Sequence, residues 1–322
     1  MRMASWRWGG VAHAGTVSPC GREVTPLALP QPQRGALRLI QMLARGQPLP
    51  QPRATGPRLR LEAVSLCAPL PRPLGSLFCA GRNYRAHGAE LAATVFRDSL
   101  PELSSSQAAW PIVFADFAGC VVGPFDAVKM PARQASVQID YESELSVLIG
   151  RGGVDSSRSR SMDPVFGCTV VNDVSARDVQ VRHPQWSLDK SFDTFCPMAP
   201  WITTADELDG RSTRVRGWVN GELRQDGGRH DMNFDRAPLI ETCSRGITLH
   251  PGDVIATGTP AGVGMGMGFT PPRCLQGGRH GADRDRWPRR RREPVAVLSA
   301  AGPFRRRSLP AGRTAPSAWG AA

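Results

Sequence analysis

This chain has almost no lysine. Only Lys129 and Lys190 stand against 38 arginines in 322 residues, and tyrosine occurs twice. It also lacks any run near the roughly 18 consecutive apolar residues that a transmembrane helix requires, so no membrane span is expected. The opening segment, MRMASWRWGG, lacks the apolar core of a secretory signal, because Trp6, Arg7 and Trp8 interrupt it. None of the eight cysteines forms a CxxC pair. Without a signal peptide they read as reduced, mostly buried thiols of a cytoplasmic protein.

The net charge of +12 invites a nucleic-acid reading, but its distribution argues against one. Residues 269–322 hold 12 arginines and three acidic residues, which leaves about +3 for the other 268 residues. Only Trp287 and Phe304 lie among those arginines, and no nucleic-acid-binding motif is present. No nucleic-acid partner is expected.

Residues 1–70 read as a small β domain with a linker. SWRWGGVAHAGTVSPCGREVTPLAL gives short strands and glycine turns, followed by Pro/Gln/Arg-rich chain with one helical segment near Ala36–Arg45. Residues 71–268 carry apolar, β-branched runs separated by Gly, Pro and Asp: PIVF, CVVG, ELSVLIG, GCTVVND and GDVIATGT. LDGRSTRVRGWVNGELRQDG reads as a hairpin turning at Asn220-Gly221. The chain is thus mainly β, of α+β class.

The chemistry concentrates in IDYESELSVLIG. On a strand, Glu142 and Glu144 project from one face. Two neighbouring carboxylates repel unless positive charge sits between them. From spacing alone, a solvent-facing strand edge fits equally well. Asp173 adds a third acid directly after the apolar run of VVNDVSARD. Three oxygen ligands without sulfur or nitrogen suit a hard cation, Mg²⁺ first, with Mn²⁺ or Ca²⁺ also compatible. His87 lies three residues before Glu90, one helical turn, so the carboxylate can orient the imidazole. In an arginine-biased chain, Lys190 suggests a site needing a compact point charge. Arg177 and Gln180 follow Asp173 by four and seven residues. Thr257, Gly258 and Thr259 in TGTPAGVG can bring N–H and hydroxyl groups to a carboxylate.

GRNYRAHGAE, DYESEL, VVNDVSARDVQ, KSFDTFCP, VNGELRQ and PGDVIATGTPAGVG, in that order, resemble the fumarylacetoacetate hydrolase family, most of all its short members acting on acylpyruvates and related 2-oxo acids. The 29-residue separation of Glu144 and Asp173 fits that pattern. The resemblance implies a mixed β-sheet roll with a small N-terminal β unit, and a homodimer. It implies that Glu142, Glu144 and Asp173 bind one Mg²⁺ or Mn²⁺. His87 and Glu90 would form a lid-borne dyad, Lys190 would lie at the active site, and Arg177, Gln180 and Thr259 would meet the substrate. The expected reaction is hydrolytic C–C cleavage of a small 2,4-dioxo acid through a metal-stabilised enolate. Isomerisation, oxaloacetate-type decarboxylation and ureidoglycolate lyase-like chemistry are the alternatives on the same enolate.

Two positions depart from the family pattern. Asp116 stands where many relatives have lysine, with an expected charge change near the entrance, and Ala199 stands where glycine is usual. The resemblance fades after about residue 268. Relatives continue there with a Gly-Asp turn and alternating strands, whereas residues 269–322 are arginine-rich without alternation. That segment is expected to be either disordered or the product of a reading-frame shift.

Overall fold

The computed structural model describes residues 1–29, 35–45, 47, 58–71, 75–94, 110–183, 185–208, 213–266, 273–276 and 296–299. The N-terminal strands β1 (Arg2–Trp8), β2 (Val11–Val17) and β3 (Glu23–Pro26) form an antiparallel meander, extended by β4 (Leu59–Arg60). Strand β5 (Ser65–Cys67) adds to β1. Helix α1 (Gly35–Ala44) falls where the sequence suggests one and buries Leu37, Leu39 and Ile40.

The following region supplies β6 (Leu77–Gly81), helix α2 (Arg85–Thr94), β7 (Ile112–Asp116) and the short β8 (Val121–Val122) and β9 (Ile139–Asp140). Then come β10 (Ser143–Ile149), β11 (Val165–Asn172), β12 (Ser175–Ala176), helices α3 (Arg177–Arg182) and α4 (Ser187–Lys190), β13 (Cys196–Pro197) and β14 (Ile202–Thr204). The chain continues through β15 (Arg214–Val219), β16 (Glu222–Gly228), helix α5 (Arg236–Ser244), β17 (Val254–Ala256) and β18 (Ala296–Ser299).

The principal sheet is mixed and runs β4-β3-β2-β1-β14-β11-β10-β17-β6-β7. Its N-terminal strands join the later strands through Arg2↔Thr203, so both regions share one sheet. Every residue of β10 is buried, and β11 is buried from Phe166 onward. Such strands read as continuous apolar runs because both faces are covered.

Register decides where the site lies. Strands β10 and β11 are antiparallel, with Ser143↔Asn172, so the start of β10 meets the end of β11. Strand β17 is antiparallel to β10 and parallel to β6, which puts the ends of β17 and β6 at that same edge. Glu142, Glu144, Asp173, the Thr257–Thr259 turn and the approach to α2 therefore converge.

The Asn220-Gly221 hairpin forms as expected, with φ of 53° and 79°, both positive as a tight hairpin turn of this kind demands. Most of residues 269–322 lies outside the described residues, so the disorder or frame-shift expectation falls there. Two pieces of it are described. Leu275 is buried and its N–H donates to Ile139 O at 2.6 Å. Ala296–Ser299 pairs antiparallel with Arg214–Gly217. The short VAVL run, set between arginine clusters, has enough β-branched character to extend the hairpin edge.

Candidate active site

Three buried carboxylates meet at this edge. Glu142, Glu144 and Asp173 each offer an oxygen, and the three oxygens lie within 4.8 Å of one another. Backbone contacts fix them in place: Asp173 N–H donates to Glu142 O at 2.8 Å, and Glu142 N–H to Asn172 Oδ1 at 2.9 Å. Gly258 N–H donates to Glu144 Oε2 at 2.9 Å. Gly258 has φ +92°, and a Cβ there would stand 2.8 Å from Asn83 Cβ, so glycine is required.

Lys190, at the end of α4, points into this group. Its Nζ donates to Glu142 Oε2 and Asp173 Oδ2, each at 2.7 Å, and to Ser175 Oγ at 3.0 Å. All three ammonium protons are thereby used. Arg177 pairs with Asp140 at 2.9 Å and Glu142 at 2.6 Å, and donates to Gln180 Oε1 at 2.9 Å. Gln180 passes the network on to Asp189 Oδ2 at 2.9 Å.

The charges follow from these contacts. Burial alone would raise the Glu142 carboxyl, but Arg177 and Lys190 outweigh it and hold it at about 2. Burial, then Asp173 and Glu142, push Glu144 well above the carboxylate range. Asp173 is raised by burial against the opposing pull of Lys190. Lys190 would be lowered by burial, yet Asp173 and Glu142 raise it further, so it stays an ammonium. Burial raises Asp189 to about 7.

His87 lies on α2 and is buried, with Nδ1 3.2 Å from Glu90 Oε2. Gly262 N–H donates to both Glu90 oxygens, at 3.1 and 3.3 Å, which fixes the carboxylate behind the ring. Gln225, in the VNGELRQ segment, donates to Thr259 Oγ1 and Pro260 O at 2.7 Å each and accepts from Ser143 N–H at 3.0 Å. His87, Glu142, Glu144, Arg177, Gln180, Lys190 and Thr259 all line one cavity of ≈ 30 Å³, with Trp186, Phe114 and Leu91 as apolar walls. Glu90 stands behind His87, and Asp173 stands behind Lys190.

The donor set suits a divalent cation. All three carboxylates are buried, and Asp173 Oδ1 accepts no hydrogen bond. An orphan acceptor at such a depth is costly unless a cation meets it. The ligands are all oxygen, the type preferred by Mg²⁺ or Mn²⁺.

The sequence reading missed Asp140 and Asp189, which tie Arg177 and Gln180 into the site. Asp140 precedes Glu142 by two residues, so the alternation that singles out Glu142 and Glu144 also includes it. Asp116 is not near an entrance. It is buried beside Asp173 and Cys79, and burial, then Asp173, push its carboxyl well up. Ala199 is half-buried and keeps its turn through a 2.7 Å bond from its N–H to Val170 O.

A family model for the fumarylacetoacetate hydrolase C-terminal domain matches residues 76–282, further than the motifs suggest. The chain is 44% identical over 219 residues to oxaloacetate tautomerase YisK of Bacillus subtilis, covering 68% of each protein. It is 40% identical over 212 residues to the mitochondrial oxaloacetate tautomerase FAHD2A of Homo sapiens, covering 65% of this chain and 63% of that one. The alignments thus span about two thirds of these relatives. Among solved structures, a fumarylacetoacetate hydrolase from Exiguobacterium antarcticum superposes with a TM-score of 0.71 at 36% identity, covering 86% of this chain and 92% of that one. A maleylpyruvate hydrolase from Sphingobium sp. SYK-6, in complex with manganese(II) and pyruvate, gives 0.63 at 31% identity, covering 82% and 90%. Among the described residues, no helix is long and apolar enough to cross a membrane.

Proposed function

This chain belongs to the fumarylacetoacetate hydrolase family, and on that footing we propose that it catalyses metal-assisted keto–enol tautomerisation of a short 2-oxo dicarboxylic acid of the oxaloacetate type. The observation that carries this reading is the clustering of three buried carboxylates with one buried ammonium and a carboxylate-oriented imidazole, of which Glu142, Glu144, Lys190 and His87 line one cavity. The names of the curated relatives favour tautomerisation over the C–C hydrolysis expected first from the sequence.

Glu142, Glu144 and Asp173 would hold Mg²⁺ or Mn²⁺. The bound ion would supply Lewis-acid stabilisation of an enolate. The chain's own residues do the rest. In the keto-to-enol direction a base takes a proton from C3 and the 2-oxo oxygen gains one, with no attacking water and no broken carbon–carbon bond. His87 is the imidazole of the cavity, and Glu90, fixed by Gly262, sets its orientation for the C3 proton. Lys190 adds positive charge where the enolate oxygen develops. Thr259 Oγ1 accepts from Gln225 and donates to Ser143 O at 3.2 Å, which fixes the side chain in the cavity wall.

A second reading, hydrolytic cleavage of acylpyruvates, is favoured by the same dyad, which suits water activation. A substrate panel separates the two. Oxaloacetate tautomerisation and acetylpyruvate cleavage, each with Mg²⁺ and with EDTA, should show the first dominant and metal-dependent. Dominant acetylpyruvate cleavage would favour the hydrolase. The homodimer implied by the resemblance is part of the proposal, and sedimentation tests it.

A further inference from the structure

The mechanism leaves Asp116 and Cys79 unused. Strands β6 and β7 are antiparallel with Leu77↔Asp116 and Cys79↔Phe114. Side chains two apart share a face, so Cys79 and Asp116 are diagonal neighbours on one side of the sheet. Cys79, Asp116 and Asp173 each present a ligand atom, all within 4.8 Å of one another, and all three residues are buried.

Asp116 is 5% exposed, and neither of its oxygens accepts a hydrogen bond. Asp173 Oδ1 also accepts none. Two carboxyl groups this close, with three orphan oxygens, need either a shared proton or a cation between them. The nearest cations are committed elsewhere. Lys190 spends its three protons on Glu142, Asp173 and Ser175, and Arg177 is held by Asp140, Glu142 and Gln180. The Cys79 thiol makes a weak 3.9 Å approach to Leu77 O and lies beside Asp116. Among the described residues, what remains to balance Asp116 is a proton or a metal ion, and the adjacent sulfur favours a metal.

We propose that Cys79, Asp116 and Asp173 form a second cation site for a thiophilic divalent ion such as Zn²⁺ or Co²⁺, behind the all-oxygen trio and sharing Asp173 with it. From Zn–S and Zn–O bond lengths, tetrahedral ligand atoms lie roughly 3.3–3.6 Å apart, so the cluster need contract by only about an ångström. Thiolate ligation selects such ions over Mg²⁺, which the trio of oxygens accepts. The site does not depend on whether the enzyme is a tautomerase or a hydrolase.

The test is metal stoichiometry of the full chain loaded with Co²⁺, read by elemental analysis and near-ultraviolet absorption. The expected result is two equivalents per chain with a thiolate-to-cobalt charge-transfer band. Cys79→Ser and Asp116→Asn should each lose one equivalent and the band. Glu144→Ala should lose one equivalent and keep the band. Using two variants on separate strands guards against one that fails to fold. One equivalent without the band in the wild-type chain would overturn the site and leave a proton shared between Asp116 and Asp173. One equivalent with the band would support this site while contradicting the assignment of the oxygen trio, so the two proposals fail separately.

Discussion

Replacing Lys190 with methionine keeps the side chain's length and removes its charge. In the metal-free protein this leaves Glu142 and Asp173 buried without the ammonium that bridges them at 2.7 Å. Breaking a buried ion pair by deleting one partner costs about 3–5 kcal/mol. At roughly 2–4 °C per kcal/mol for a domain of this size, Tm in EDTA should fall by about 6–20 °C. Saturating Mg²⁺ restores positive charge to the same carboxylates. Ligand at 100 times Kd stabilises by about 2.7 kcal/mol, so most of the loss should be recovered. Without a competing ammonium, the Mg²⁺-induced rise in Tm should also be larger in the variant than in the parent. Paired thermal melts in EDTA and in Mg²⁺ measure both quantities. Equal losses under the two conditions, or a loss in EDTA below about 1 kcal/mol, would refute the view that lysine and metal ion serve the same carboxylates.

Glu142→Ala, Glu144→Ala and Asp173→Ala should each abolish turnover and sharply weaken Mg²⁺ binding, measured by titration calorimetry. His87→Ala should lower kcat by roughly 10²–10⁴ while leaving Mg²⁺ affinity nearly unchanged. Asp189, raised to about 7 by burial, holds a proton in the folded state that the unfolded chain releases near the ordinary aspartate value. Its contribution to metal-free stability should therefore be greatest at low pH and fall as pH rises from about 4 to 7, by at most about 4 kcal/mol. Asp189→Asn should flatten that part of the profile in denaturant melts. Resequencing the locus tests the tail: an alternative frame after codon 268 should encode a Gly-Asp turn followed by alternating strands, and its absence from both frames would end the frame-shift account.

The sequence made much of this site legible because strand chemistry is periodic. Alternation placed Glu142 and Glu144 on one face, and the apolar run ending at Asn172 delivered Asp173 to the same edge. One helical turn was enough to pair His87 with Glu90. Contacts set by tertiary register were not legible. Nothing local says that Asp116 on β7 reaches Asp173, because their proximity depends on how the β6/β7 pair lies against β10 and β11. For Arg177 and Gln180 the resemblance implied substrate contact. Burial shows them tied to Asp140, Glu142 and Asp189, so they also hold the carboxylates in place. In the tail, arginine runs hid the Ala296–Ser299 strand, whose existence depends on the free edge of the Asn220-Gly221 hairpin.

The central claim is metal-dependent enolate chemistry at Glu142, Glu144 and Asp173. The most direct measurement is the rate of oxaloacetate keto–enol interconversion by EDTA-stripped protein before and after Mg²⁺ is restored. The account predicts little activity in the stripped protein, recovery with Mg²⁺, and no recovery in Glu144→Ala. Full activity in the metal-free protein would contradict it.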